Sequence, residues 1–366
     1  MNIRKKIFKV LRMLLIYLAG VFAVAVVALF VLSPGNAKPF TDESGNVVAG
    51  SVAEIASVEI GGITQKMIIR GENEKNPVIL FLHGGPGSPE YPFTVELRTQ
   101  LEQDFTFCWW EQRGVGMSYS KDLDIETMTL EQMVSDTVEV TNYLREKFGQ
   151  EKIYLMGHSW GSFLGMNVIH DSPQLYSAYV GIGQVSNQVE SEQLAYDYMV
   201  AQAKETGDTK LEAELLKFAD FDPTEKSLNR DYITGPRTGG LMKLGVGLMH
   251  ENTNPMPGMI WKVITCREYS FKDKLWWMGL FGNSIAERLW PIVPKIDLMQ
   301  EIPSVDVPVF IIQGKYDYQT STVLAKEYFD KLKAPEKQYF VLENSAHGVI
   351  TEEPEQFARI IKESLK

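Results

Sequence analysis

The sequence predicts an α/β fold: a mostly parallel sheet with helices on both faces, an inserted helical segment and an N-terminal transmembrane helix. Three observations carry this. From about residue 77, short apolar runs rich in branched side chains alternate with amphipathic stretches, and strand–helix alternation implies crossovers and a parallel sheet covered on both faces. Between Val185 and about Met299 the alternation stops, and it resumes afterwards. Met13 to Leu32 is a run of twenty residues without a charge. As a helix it spans ~30 Å, the thickness of a bilayer's hydrocarbon core.

Composition narrows the class. At ~100–200 residues per domain, 366 residues suggest two modules. A chain with 45% hydrophobic and 23% charged residues is ordinary globular protein, not disordered or collagen-like. Its two cysteines cannot build a disulfide framework. The net charge of −11 is unevenly spread: Arg4, Lys5, Lys6, Lys9 and Arg12 give residues 1–33 a charge of +5, and the remainder carries −16, with 31 basic against 47 acidic residues. So acidic a body argues against nucleic acid as a partner.

The elements follow in order. Residues 1–12 form a basic tail, 13–32 the anchor and 33–51 a linker rich in Pro, Gly, Asn and Ser. Basic residues before the span place the N-terminus in the cytoplasm and the body on the outer side. The alternative is a secreted protein with a cleaved signal, whose apolar core is normally ~7–15 residues; Gly35-Asn36-Ala37 is an imperfect cleavage site. Residues 52–185 form the first part of the core, with strands at 77–82, 105–110, 152–156 and 175–182. Leu130, Met133, Val134, Val138, Val140, Leu144 and Phe148 give an amphipathic helix over 129–148. Residues 186–299 form a helical cap, set over the sheet edge where open α/β sheets bind ligands. Residues 300–366 return to the core, with strands at 307–313 and 338–342, a helix at about 323–332 between them, and a last helix at 355–365.

The chemistry lies in four pieces. Gly157-His158-Ser159-Trp160-Gly161 is a G-x-S-x-G between a strand and a helix, where glycines permit the sharp turn that thrusts a serine above the sheet. His83-Gly84-Gly85-Pro86-Gly87 follows the strand at 77–82, and such glycines let a backbone N–H reach a developing oxyanion. Gly85 is the first choice of donor, Gly84 the second, and the Trp160 N–H the other member; His83 reads as structural. Asp317 follows the strand at 307–313 and His347 the strand at 338–342. The order Ser159, Asp317, His347 is that of the α/β-hydrolase triad: serine needs imidazole as base, and the carboxylate fixes the imidazole tautomer. By themselves Asp317 is also what a turn would hold, and His347 what a loop would hold. No HExxH, GxGxxG or GK[ST] occurs, so no metal or cofactor is expected.

These motifs, with Gln112-Arg113-Gly114-Val115-Gly116-Met117-Ser118, Ser159-Trp160-Gly161-Ser162 and Gly314–Asp317, resemble the α/β-hydrolases of the prolyl iminopeptidase type from about Val52 to Lys366. The resemblance implies a serine hydrolase that releases an N-terminal residue, often proline, from peptides, with acidic cap residues binding the free amine. Three positions depart from that pattern: Glu111 stands for Asp, His158 for Gly, and Asn344-Ser345-Ala346-His347-Gly348 for Gly-x-Gly-His-Ser. Glu190 and Glu192, where the cap opens, are candidates to bind the amine; they are also what an acidic first helical turn capped by Asn187 or Ser191 would contain. Two enzymatic readings stand, an aminopeptidase acting on peptides and a carboxylesterase or lipase-like enzyme acting on small esters. A third reading is a catalytically silent surface-binding protein.

Overall fold

The computed structural model describes residues 3–280 and 284–365. Its strands are β1 (Val52–Ile60), β2 (Ile63–Gly71), β3 (Val78–Leu82), β4 (Thr106–Glu111), β5 (Ile153–His158), β6 (Tyr176–Ile182), β7 (Val309–Gly314) and β8 (Lys337–Leu342). They form one sheet in the order β1-β2-β4-β3-β5-β6-β7-β8. The six strands from β3 to β8 are mutually parallel where paired, whereas β1 pairs antiparallel with β2, and β2 with β4. Every residue of β3, β4 and β7 is buried, which is why these segments read as unbroken apolar runs: helices cover both faces.

Local chemistry sets the helix ends. The helix α2 (Leu130–Phe148) starts where the Thr129 side chain accepts from the Gln132 N–H, and stops at Gly149 with φ 63°. On the same face of the sheet, Arg113 of the Gln-Arg-Gly motif is buried against Asp136 of α2, with Nε–Oδ2 at 2.8 Å and Nη2–Oδ1 at 2.9 Å. Gln65 and Gln132 donate to the same carboxylate at 2.6 and 2.7 Å, so this buried pair is fully hydrogen-bonded. The arginine of that motif therefore joins α2 to the turn between β1 and β2, where it donates to Gly61 O at 2.8 Å.

The sheet continues the chain's sequence logic at one strained point. Between β5 and the helix α3 (Trp160–Asp171) the backbone reverses within Ser159. From β6 to β7 the described residues contain helices and no strand, beginning with α4 (Gln188–Thr206), whose N-cap is Asn187. At the other end of the chain, α1 (Ile3–Val31) stands clear of the sheet. From Ile7 to Val31 it is long and apolar enough to cross a membrane, and none of that stretch is buried within the protein. The linker after it returns to the body: Gly35 N donates to Arg267 O at 3.0 Å, and Pro34 bridges to Ser270.

Candidate active site

Ser159 has φ 54° and ψ −119°, and among the described residues it is the one non-glycine with positive φ. Strain of this kind at a strand-to-helix turn lifts the side chain off the sheet. The motif glycines make the turn possible. A Cβ on Gly161 would meet Leu82 O at 2.0 Å, and one on Gly157 would meet Gly161 O at 2.2 Å.

Asp317 and His347 come together from the ends of β7 and β8. His347 Nδ1 donates to Asp317 Oδ2 at 2.7 Å. Asp317 is buried, and its carboxylate also accepts from Gln313 Nε2, Thr320 Oγ1 and the Gln319 and Thr320 N–H groups, at 2.8–3.0 Å. Five donors leave it no freedom to turn. With Nδ1 committed as donor, the remaining ring nitrogen, Nε2, is the acceptor a base needs. Ser159 and His347 line one cavity of about 860 Å³.

The loop after β3 lies across from the serine. Gly84 N–H donates to Glu90 Oε1 at 2.7 Å, so it is committed elsewhere. Gly85 lines both cavities beside Ser159, and Trp160 opens α3, where the first N–H groups lack intrahelical acceptors. Those two remain the candidate oxyanion donors. His83 is fully buried, and burial pushes it down to about 4, so it is neutral. It donates from Nδ1 to Gly84 O at 2.9 Å and accepts on Nε2 from the Gln112 N–H at 3.3 Å. Gln112 in turn binds His83 O and Trp160 Nε1, joining the glycine loop to the nucleophile helix.

Comparison with known proteins now adds to this geometry. Residues 77–229 match the family described as alpha/beta hydrolase fold. A Bacillus subtilis (strain 168) protein named "Probable aminopeptidase YbaC" is 32% identical over 317 residues, covering 85% of this chain and 96% of that one. The chain belongs to the α/β-hydrolase family. A proline iminopeptidase of Lactobacillus acidophilus is 35% identical over 107 residues, 29% of this chain and 35% of that enzyme. The crystal structure of a Mycobacterium smegmatis proline iminopeptidase superposes with a TM-score of 0.61 at 16% identity, over 85% of this chain and 97% of that one, a likeness of fold. This hydrolase is thus aminopeptidase-like and proline iminopeptidase-like.

Against that background the departures at Glu111 and His158 have physical roles. Burial pushes the Glu111 carboxyl up to about 8, and it accepts from Tyr269 Oη and the Met117 N–H at 2.5 and 2.6 Å. It ties β4 to Tyr269 in the segment between β6 and β7. His158 lies between two acceptors: Nδ1 is 2.9 Å from both oxygens of Glu90, and Nε2 is 3.0 Å from His347 O. Both nitrogens must donate, so the ring is an imidazolium. Burial opposes charge on both partners, but their attraction outweighs it, holding His158 above and Glu90 below their ordinary ranges.

Glu90 was invisible to sequence reasoning, because nothing in Ser88-Pro89-Glu90-Tyr91 announces a partner 68 residues away. It gathers the glycine loop, the residue before Ser159 and, through His158, the backbone of His347. We expect Glu90→Gln to lower kcat by roughly 10- to 100-fold, the cost of ~1 Å misplacement of reacting groups, with KM nearly unchanged. The pH profile supplies a second readout. A raised His158 pKa means the clamp is fully formed below the ordinary histidine value and is lost as pH rises through the raised one. The alkaline fall in kcat should therefore move to lower pH in Glu90→Gln; an unmoved limb would show that the clamp does not act on catalysis.

The cap glutamates are not brought to the serine. Glu190 is exposed in the first turn of α4, where its N–H donates to the Asn187 side chain. Glu192 is fully buried and bound by Arg237, with Nε–Oε2 at 2.8 Å and Nη2–Oε1 at 2.5 Å, and by Gln188 at 2.9 Å. Neither lines either cavity. Neither is placed as the amine-binding expectation requires: one stands in water in the first turn of α4, and the other already has a cation as partner. Arg237, 45 residues away in sequence, was the partner no local pattern could reveal.

Two cavities meet at Ser159. One, of about 600 Å³, is mostly apolar, with Val185, Ile233, Trp290 and Val293 among its walls. The larger one holds Glu90, Glu251, Glu352 and Glu353, with Lys262 as its one lysine.

Proposed function

We propose that this chain is a membrane-anchored serine aminopeptidase of the prolyl iminopeptidase type. Ser159 attacks the first peptide carbonyl of the substrate, His347 takes the serine proton and returns it to the leaving amine, and Asp317 holds the imidazole. The Gly85 and Trp160 N–H groups receive the oxyanion, and water then releases the acyl group from Ser159. The observation that carries this reading is the relative named as an aminopeptidase, which aligns along 85% of the chain. Candidate triad geometry supports it. The apolar α1 serves as an uncleaved anchor, with the body on the outer side.

A cationic amine enclosed without an acidic partner would be costly. Of the glutamates lining the larger cavity, Glu90, Glu352 and Glu353 already accept hydrogen bonds. Glu251 is exposed at the edge of that cavity and is the group we assign to the substrate amine. A carboxylesterase is the second reading, favoured by the apolar smaller cavity, which suits an acyl chain. Proline arylamide, its N-acetylated form and a short acyl ester separate the two. The aminopeptidase is expected to reject the blocked arylamide by orders of magnitude, and Glu251→Gln to narrow that preference. Equal turnover of free and blocked arylamide, with faster ester cleavage, would make the enzyme an esterase.

A further inference from the structure

The cap helix α5 (Met256–Thr265) has two faces of different character. Val263 and Met259 pack into the core beneath the cap, and Met256, Gly258, Met259 and Lys262 line the larger cavity. The outer side carries Met256, Ile260 and Trp261, which are 47%, 51% and 63% exposed. Large apolar side chains at i, i+4 and i+5 form one stripe on a helix. Contiguous exposed apolar surface of this kind marks a place of interaction.

The neighbour of this stripe tells what meets it. Lys274, buried in the helix α6 (Phe271–Trp277), donates from Nζ to Leu32 O at 2.5 Å and to Ile264 O at 2.7 Å. One ammonium therefore ties the end of α1 to the last turn of α5. The Phe30 and Phe271 rings stand 6.2 Å apart, and the linker continues across Arg267 and Ser270. The point at which α1 ends is thus fixed beside α5. The rest of the body is strongly acidic, so charge does not draw it to lipid headgroups, whereas Trp and aliphatic side chains partition into the interfacial layer.

We propose that the Met256–Ile260–Trp261 face of α5 rests in the interfacial layer of the bilayer that α1 crosses, holding the edge of the larger cavity at the membrane surface. The inference depends on α1 being an uncleaved anchor. Substrate then enters along the bilayer surface, past Met256, which belongs both to the stripe and to the cavity wall.

The test uses the full-length chain in phosphatidylcholine vesicles, carrying an environment-sensitive fluorophore on Ile260→Cys. Val323→Cys, at a site 70% exposed on α7 (Thr322–Lys331), is the reference. The native Cys108 and Cys266 are buried and burial raises both thiols, so they label poorly. The probe at 260 is expected to show blue-shifted emission and to be quenched by doxyl-labelled lipid, and the probe at 323 to show neither. Adding Trp261→Glu should return the probe at 260 toward the reference spectrum. If the chain stays with the vesicles through alkaline extraction while both probes look alike, the docked face is wrong and the anchor stands. Release of the chain by alkaline extraction overturns the anchor and the docked face with it. Cross-linking between two copies at 260 without lipid quenching would assign the stripe to self-association instead.

Discussion

Ser159→Ala is expected to lower kcat by about 10⁵- to 10⁶-fold, the loss seen when the nucleophile of a serine triad is removed. The reason is structural. The reversed backbone at residue 159 presents one hydroxyl at the junction of the two cavities, and Ser162, the next serine, is spent on Ser159 O at 2.6 Å and on Val185 N at 3.0 Å. No neighbour can take over the covalent step. Labelling by a fluorophosphonate probe should vanish with activity, while the folded signal persists, because alanine keeps the turn. Activity near that of the wild type would remove Ser159 from the mechanism, whereas a wild type that neither turns over substrate nor takes the probe would leave the silent-binder reading.

The second large effect belongs to Asp317→Asn, for which kcat should fall about 10⁴-fold with KM little changed. An asparagine can still accept the Gln319 and Thr320 N–H bonds through one oxygen. Its amide nitrogen then faces His347 Nδ1 and Gln313 Nε2, where the carboxylate had accepted from both. The imidazole is driven to the tautomer with its proton on Nε2, which cannot accept from serine. The crowding of donors around that amide should also lower the melting temperature. Stopped-flow acylation with an activated ester isolates the step; a rate unchanged from the wild type would mean another carboxylate performs this task.

What the sequence revealed follows from what is local. Ser159, Asp317 and His347 stood out as candidates because each follows the end of a strand, and strand ends of a parallel sheet share one edge. The parallel strands were legible because burial on both faces leaves apolar runs. The hairpin of β1 and β2 was not, because its outer strand is half exposed and its residues Val52-Ala53-Glu54-Ile55 mix both kinds of side chain. Partnerships across the chain were beyond reach for a different reason. Glu90 with His158, Glu192 with Arg237 and Glu111 with Tyr269 join residues whose proximity exists only after folding. Hence Glu192 looked available for an amine, when burial had already required it to find a guanidinium.

The placement of a helical segment between β6 and β7 has an evolutionary consequence. Serine and both candidate oxyanion donors are encoded before residue 186, aspartate and histidine after residue 299. Mutations, insertions and even exchange of the intervening segment thus leave the candidate reacting groups unchanged. A recombinant bearing a foreign cap on this sheet is the natural way to ask how much of substrate choice travels with those residues alone.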